Sequence, residues 1–144
     1  MSAYCTQADI EGEIQAPDLI SLTDDSYPPA GIVNATVLAQ IIENASGVVD
    51  RYVGNIYEVP FSPIPAAVKS LTITIVCYRL YRRRLVPDEK NNFAQDYLEA
   101  LKFLKEVNKG ESKLGLETDR EFSPVAANTA RSPWGSSNSL ASSL

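Results

Sequence analysis

The sequence offers few side chains that could carry out chemistry. It contains no histidine, so catalytic triads and metal sites that depend on an imidazole are excluded. Its two cysteines, Cys5 and Cys77, stand far apart and lack the paired spacing of a zinc site. Asp24 and Asp25 are adjacent, but no third acidic residue follows them at the spacing of a calcium loop. We therefore expect no enzyme: no catalytic residue, no metal site and no cofactor.

Arginines and tyrosines alternate in one short stretch, YRLYRRR at residues 78–84. Arginine beside tyrosine suits phosphate contact and base stacking. The same charges could instead form salt bridges with acidic residues of the same or a neighbouring subunit, or simply end a helix in solvent. Salt bridges are the favoured interpretation because the chain is acidic overall, with a net charge of −5. The candidate subunit interface is therefore Arg79, Arg82, Arg83, Arg84, Asp24 and Asp25.

Acidic and basic residues are concentrated in different parts of the chain. Residues 1–60 hold nine acidic groups and one basic group, a balance of −8. Residues 61–110 hold nine basic and five acidic groups, a balance of +4. Such polarity can hold the parts of one fold together, or it can let one copy bind head to tail to the next.

Neither a membrane span nor a secretion signal is predicted. The longest apolar run is interrupted by Arg79 well short of the length that crosses a bilayer. Asp9, Glu11 and Glu13 stand where a signal peptide would need an apolar core. Two cysteines make no disulfide framework. We expect a protein of the reducing cytoplasm with no membrane partner.

An apolar helix over residues 66–85 is predicted at the centre of the fold. Apolar side chains point in nearly every direction around it, so it needs neighbours on all sides. Apolar residues three and four positions apart predict two amphipathic helices, 35–53 and 88–109, that cover it. Asn34 is expected to cap the first, and Asp88 to begin the second, where the helix dipole favours negative charge. The prediction is an all-α protein, a small helical bundle.

Two shorter elements are expected before this bundle. Thr6 and Asp9 form a weaker version of the capping box, which predicts a short helix over residues 8–14. Pro17 begins a further short turn that extends through Leu22. These elements are expected to complete the cover of the central helix.

The final part of the chain, residues 111–144, differs in kind from the helical domain expected at residues 1–110. Its Ser, Pro and Gly content is typical of an extended tail. Burying its one tryptophan is worth about 5 kcal/mol, whereas fixing roughly ten backbone residues costs on the order of 10 kcal/mol. The tail therefore needs several anchors, backbone pairing as an added strand around residues 113–118, or a partner that many copies contact at once. Docking on a partner is favoured over packing back on the same subunit. The candidate docking residues are Leu114, Leu116, Phe122, Val125, Trp134 and Leu140.

Several short motifs occur in an order that points to a known family. They are YCTQADIE at residues 4–11, LTDDS at 22–26, VVDRYVG at 48–54, Tyr57 with VP at 59–60, YRLYRRR at 78–84 followed by VP, and KG at 109–110 followed by LG at 114–115. Over residues 3–117 the chain resembles the head-tail connector proteins of Mu-like phages and prophages. Residues 118–144 lie outside this resemblance.

The resemblance implies a helical adaptor protein of the virion neck, assembled in the host cytoplasm. Its copies would form a ring, of about twelve subunits by family expectation, under the portal protein of a tailed-phage capsid. The ring would join the portal to the next neck or tail-completion protein, and genomic DNA would pass through its channel without specific binding. The alternative is a small helical nucleic-acid-binding module that uses the basic cluster at residues 79–84.

Overall fold

The structure, a computed structural model, describes residues 3–115. The chain divides into two units, Met1–Ser112 and Lys113–Leu144, so the described residues are nearly all of the first unit and the first three residues of the second. They contain no strand and form five α-helices: α1 (Gln7–Glu11), α2 (Ala16–Thr23), α3 (Ala35–Val53), α4 (Ala66–Arg83) and α5 (Ala94–Asn108). The prediction of an all-α bundle is confirmed.

Helix α4 lies at the centre and contacts each of the other four helices. Helices α3 and α5 also contact each other, and both α1 and α2 pack on α3 and α4. This arrangement follows from the apolar character of α4, because a helix with apolar side chains on most faces must be covered by several neighbours. Its buried side chains are Val68, Thr72, Ile75, Val76, Cys77, Tyr78 and Leu80.

The apolar stripe of α3 faces the core as predicted, whereas that of α5 does so in part: Leu104 and Val107 are buried, but Leu98, also expected on the stripe, is 59% exposed. The buried residues of α3 and α5 are Leu38, Ile42, Ala45, Ser46, Val49, Val53, Ala94, Ala100, Leu104 and Val107. Asn34 caps α3 as predicted, since its side-chain oxygen accepts a hydrogen bond from the backbone N–H of Val37 at 3.1 Å.

Helix α5 begins at Ala94, later than the prediction placed it. The acidic start, Asp88–Lys90, is a single 3-10 turn, and Asn91 separates this turn from α5. The Asn91 Nδ2 donates to the carbonyl of Tyr78 at 3.3 Å, and its Oδ1 accepts from the N–H of Phe93 at 3.0 Å. An asparagine that bonds the backbone two residues further on favours a turn over a helix. The prediction of one continuous helix was therefore wrong.

The two N-terminal helices differ in length from the prediction. Both hydrogen bonds of the capping box between Thr6 and Asp9 are present, but α1 ends at Glu11. The expected turn after Ala16 is a complete helix, α2, with Pro17 in its first turn. Proline is tolerated there because the first backbone N–H groups of a helix have no partner within it.

Tyr4 attaches the segment before α1 to the rest of the bundle. Its backbone N–H donates to Ser46 Oγ at 3.1 Å, and its hydroxyl donates to the carboxylate of Asp50. The same hydroxyl accepts from the N–H of Phe61 at 3.2 Å. One buried side chain thus joins the N-terminus, α3 and the connection between α3 and α4.

No helix formed by residues 3–115 is both long enough and apolar enough to cross a membrane.

Candidate functional site

Two arginines at the end of α4 bind the end of α2 within the same chain. Arg83 Nη2 lies 2.6 Å from Asp25 Oδ2, and Arg83 Nη1 donates to the carbonyl of Leu22 at 2.6 Å. Arg84 Nη2 lies 2.9 Å from Asp25 Oδ1 and donates to the carbonyl of Ser21 at 3.0 Å. The last carbonyls of a helix lack partners within it, so the guanidinium groups satisfy them while pairing with the acid. We call Arg83, Arg84 and Asp25 the α2–α4 clamp.

The charge of the clamp depends on Asp25. Its pKa lies below the ordinary value, first because of its hydrogen bond with the Arg83 guanidinium and further because of Arg84. The carboxylate is exposed, and water screens such pairs strongly. The clamp therefore acts mainly by fixing the position of α2 against α4.

Asp24, although adjacent, has a different role. Its carboxylate accepts hydrogen bonds from the backbone N–H groups of Ser26 at 3.0 Å, Ala30 at 2.8 Å and Gly31 at 2.9 Å. These bonds, that of Gly31 first, hold the pKa of Asp24 below its usual range. Gly31 has a φ of +74°, a backbone conformation that favours glycine. Asp24 thus closes the loop between α2 and α3.

A groove lined by arginine and tyrosine side chains opens between α3, α4 and α5. Its volume is about 430 Å³, and its lining is Val48, Arg51, Tyr52, Arg79, Tyr97, Leu101 and Asn108. A second depression of about 340 Å³ is lined by Tyr78, Arg79, Arg82, Arg83 and Tyr97. Because Arg79 and Tyr97 line both, the two depressions form one surface, which we call the basic groove.

Stacked tyrosines form a rigid part of the basic groove. The rings of Tyr78 and Tyr97 lie 3.9 Å apart, with only 4° between their planes. The hydroxyl of Tyr78 donates to Asp88 Oδ1 at 3.0 Å and accepts from Arg82 Nη1 at 3.1 Å. This hydrogen bond with Tyr78 raises the pKa of Arg82. The network holds Arg82 in place and pairs it indirectly with an acid.

Arg51 and Arg79 are placed differently from Arg82. Within residues 3–115 neither makes an ion pair or a hydrogen bond through its side chain. Arg51 is exposed and Arg79 half-buried. A guanidinium without a protein partner presents a planar set of donors that matches a carboxylate or a phosphate. The basic groove can therefore bind an anionic group.

The predicted interface residues are thus divided among three places. Arg79 and Arg82 line the basic groove, Arg84 and Asp25 belong to the clamp, and Arg83 belongs to both, whereas Asp24 organises a loop. The structure brings Arg83 and Arg84 to an acid of the same chain. Whether any of the six contacts a neighbouring subunit stays a prediction.

Arg51 was absent from the predicted interface. The available signal was that Arg51 is the one basic residue among residues 1–60, in the last turn of the predicted α3. Its proximity to Arg79 and Tyr97 depends on how three helices pack, which spacing along the chain does not reveal.

Of the predicted docking residues, Leu114 falls in the described part of the second unit. The others, Leu116, Phe122, Val125, Trp134 and Leu140, lie outside the described residues. Their docking on a partner stays a prediction.

The two cysteines are buried and form no disulfide. Burial raises the pKa of each thiol, Cys5 and Cys77, to about 12. Neither is a thiolate near neutral pH, so neither is prepared to act as a nucleophile. Among residues 3–115, no group of three or more Cys, Asp and Glu side chains is placed to hold a metal ion.

The described residues form an all-α protein with a charged binding groove, and comparison with known proteins gives its family. Residues 4–131 match the family described as Bacteriophage Mu, Gp36, and the chain belongs to this family. It is also similar to the Mu-like prophage FluMu protein gp36 of Haemophilus influenzae, with 28% identity over 116 residues that cover 78% of this chain and 79% of the relative.

The family match extends further than the sequence motifs indicated. The resemblance was expected to end at residue 117, whereas the match continues to residue 131. It therefore includes the candidate docking residues Phe122 and Val125, but not Trp134 or Leu140.

Proposed function

We propose that this chain is a structural protein of a tailed bacteriophage, the connector that joins the head to the tail. Copies of the chain form a ring in the neck of the virion. One side of the ring binds the portal protein, and the other binds the next neck or tail-completion protein. Genomic DNA passes through the central channel without specific binding.

Membership of the phage Mu Gp36 family over residues 4–131 is the observation that carries this proposal. Most of the motifs that resemble connector proteins occur in the helical unit, and three of them contribute to the surfaces described above. LTDDS contains Asp25 of the clamp. VVDRYVG contains Arg51 and Tyr52 of the basic groove, and YRLYRRR contains Arg79 and both arginines of the clamp.

The chemistry of the described residues is also in keeping with a structural role. A connector needs rigid surfaces that recognise other proteins, and the basic groove and the clamp supply charge and fixed geometry. A chemical role would need an activated nucleophile or a general base in a pocket. The two thiols have pKa values near 12, and the sequence has no histidine.

Native mass spectrometry of the purified chain, alone and mixed with its portal protein, tests the proposal. We expect a stoichiometric ring on the portal. A variant that ends at Ser112, the end of the first unit, should keep its helical circular dichroism and lose portal binding, because the candidate docking residues are removed. A full-length chain that stays monomeric and ignores the portal would contradict the connector function.

A second test uses the phage that encodes the chain. Without this protein, electron microscopy of lysates should show filled heads and separate tails, because each is built without the connector. Normal joined particles, or the absence of any heads, would contradict the proposal.

Nucleic-acid binding is the second candidate, and the observation that favours it is that the guanidinium groups of Arg51 and Arg79 make no ion pair with any of residues 3–115. Phosphate contacts would make affinity for duplex DNA fall steeply with salt concentration. Replacing both arginines by alanine should then abolish binding at low salt. No binding by the unmodified chain at low salt would remove this candidate.

A further inference from the structure

A second charged surface lies on the opposite side of α4 from the basic groove. A shallow depression of about 240 Å³ is lined there by Glu13, Ala66, Lys69, Ser70, Ile73 and Thr74. Ser70 precedes Arg79 by nine residues, which is two and a half helical turns. The two surfaces therefore face opposite directions from the axis of one helix.

Acidic residues continue along this second face of α4. This face of α4 carries residues three or four positions apart, namely Ser70, Thr74, Cys77 and Tyr81. The charge of Glu13 contributes to the raised pKa of Cys77, and that of Asp18 contributes to the raised pKa of Tyr81. Glu13 lines the depression itself, and Asp18 lies in the first turn of α2, which packs on α4.

Within residues 3–115, no cation forms an ion pair with either of these two carboxylates. Lys69, the basic residue in the depression, is paired with Asp9 at 3.2 Å. Glu13 and Asp18 are exposed, and neither makes an ion pair within residues 3–115. We call Glu13 and Asp18 the acidic edge.

We propose that the basic groove of one copy binds the acidic edge of a second copy, so that Arg51 and Arg79 meet Glu13 and Asp18. Each side has two charged groups that no residue among 3–115 pairs with, and the signs are complementary. Contacts between two different surfaces of identical copies are heterologous, and such contacts close into rings when the rotation permits. Opposite placement across α4 leaves each copy able to bind a neighbour on both sides.

This inference rests on the proposed function and gives its ring a specific subunit contact. It also differs from the interface predicted from sequence. The clamp already occupies Arg83, Arg84 and Asp25 within one chain. The contact is therefore assigned to Arg51 and Arg79, which have no ion pair within the described residues.

Charge reversal in the full-length chain tests the contact. One variant carries Arg51→Glu with Arg79→Glu, and the other carries Glu13→Lys with Asp18→Lys. Each variant alone should self-associate about 100-fold more weakly than the unmodified chain, because like charges then face each other. An equimolar mixture of the two variants should assemble again. The acidic groove of the first variant then meets the basic edge of the second, and the unmodified groove of the second meets the unmodified edge of the first.

Analytical ultracentrifugation measures assembly, and native mass spectrometry of a mixture with one variant isotopically labelled shows whether the copies alternate. The matched control, Lys105→Glu with Lys109→Glu, makes the same charge change on exposed positions of α5 and its end and should assemble like the unmodified chain. Arg79 is half-buried, so the first variant could fail to fold. In that case the test is repeated with two single variants at exposed positions, Arg51→Glu and Asp18→Lys.

Each outcome separates the contact from the function. The contact would be overturned if the unmodified chain forms rings and both folded variants form them too, or if the mixture of variants stays unassembled. Either result would leave the connector function in place. An unmodified chain that is monomeric both alone and with the portal would overturn both. Loss of low-salt binding to a duplex DNA probe in the arginine variant, with self-association unchanged, would assign the groove to nucleic acid instead.

Discussion

Replacing Asn91 by alanine should destabilise the protein, although alanine is the better helix former. The Asn91 side chain is only 5% exposed and makes two hydrogen bonds, one to the carbonyl of Tyr78 and one from the N–H of Phe93. Each such bond contributes about 1 kcal/mol. The higher helix propensity of alanine offsets roughly 0.6 kcal/mol at most. The half-buried N–H of Phe93, left without its partner, adds a further cost of about 1 kcal/mol.

The free energy of unfolding should therefore fall by about 2 kcal/mol. For a unit of this size that corresponds to a decrease in melting temperature of roughly 10 °C. Urea denaturation followed by circular dichroism measures the change, with an unchanged slope expected because the surface exposed on unfolding stays the same.

Asn92→Ala is the matched control, because the adjacent position carries the same residue type and is exposed. Its free energy of unfolding should stay within about 0.5 kcal/mol of the unmodified value. Equal stability of the Asn91 and Asn92 variants would refute the reasoning. If the helical signal of Asn91→Ala rose without any loss of stability, the turn at Asn91 would bring the fold no energetic benefit, and the side chain of Asn91 would merely prevent one continuous helix.

Three further predictions follow from burial and charge. Leu104→Ala, at a fully buried position, should lower the free energy of unfolding by about 2–5 kcal/mol, whereas Leu98→Ala, 59% exposed on the same helix, should change it by less than about 0.5 kcal/mol in the same urea titration. Because the pKa of Asp25 is lowered in the folded state, its carboxylate stabilises the fold above the unfolded-state pKa, and this stability is lost as the pH falls through the folded-state pKa. The melting temperature of Asp25→Asn should therefore fall less in acid than that of the unmodified chain, and parallel curves of melting temperature against pH would contradict this. Cys5 and Cys77, with pKa values of about 12, should react with a thiol reagent only after unfolding, so rapid labelling of the native protein near pH 8 would refute their burial.

The long helices were predictable because apolar spacing repeats over several turns and a single irregular residue does not hide it. Leu38, Ile42, Ala45 and Val49 follow this rule on α3 and are buried. The break before α5 was not predictable, because the competing bonds of Asn91 include one to Tyr78, which lies on another helix. Local sequence favoured a helix, and a tertiary contact favoured the turn.

The partners of the arginines illustrate the same limit. Composition indicated that YRLYRRR would meet acids, phosphate or solvent, and the structure pairs Arg83 and Arg84 with Asp25, nearly sixty residues earlier in the chain. The basic groove depends on Arg51 from α3 and Tyr97 from α5 reaching Arg79 on α4. Spacing identifies the face of each helix but not the residues that face one another across two helices.

The α2–α4 clamp also has a consequence for copy number. In the proposed ring of about twelve copies, each copy is rotated by about 30° relative to its neighbour, and one additional copy changes that angle by only about 2°. In the proposed contact, Asp18 on α2 binds one neighbouring copy and Arg79 on α4 binds the other. The clamp joins these two helices. In that proposed ring, the strength of the contact between copies would decide whether the ring forms, whereas the stiffness of the clamp would decide how many copies it contains. A loosened clamp would produce rings of mixed size.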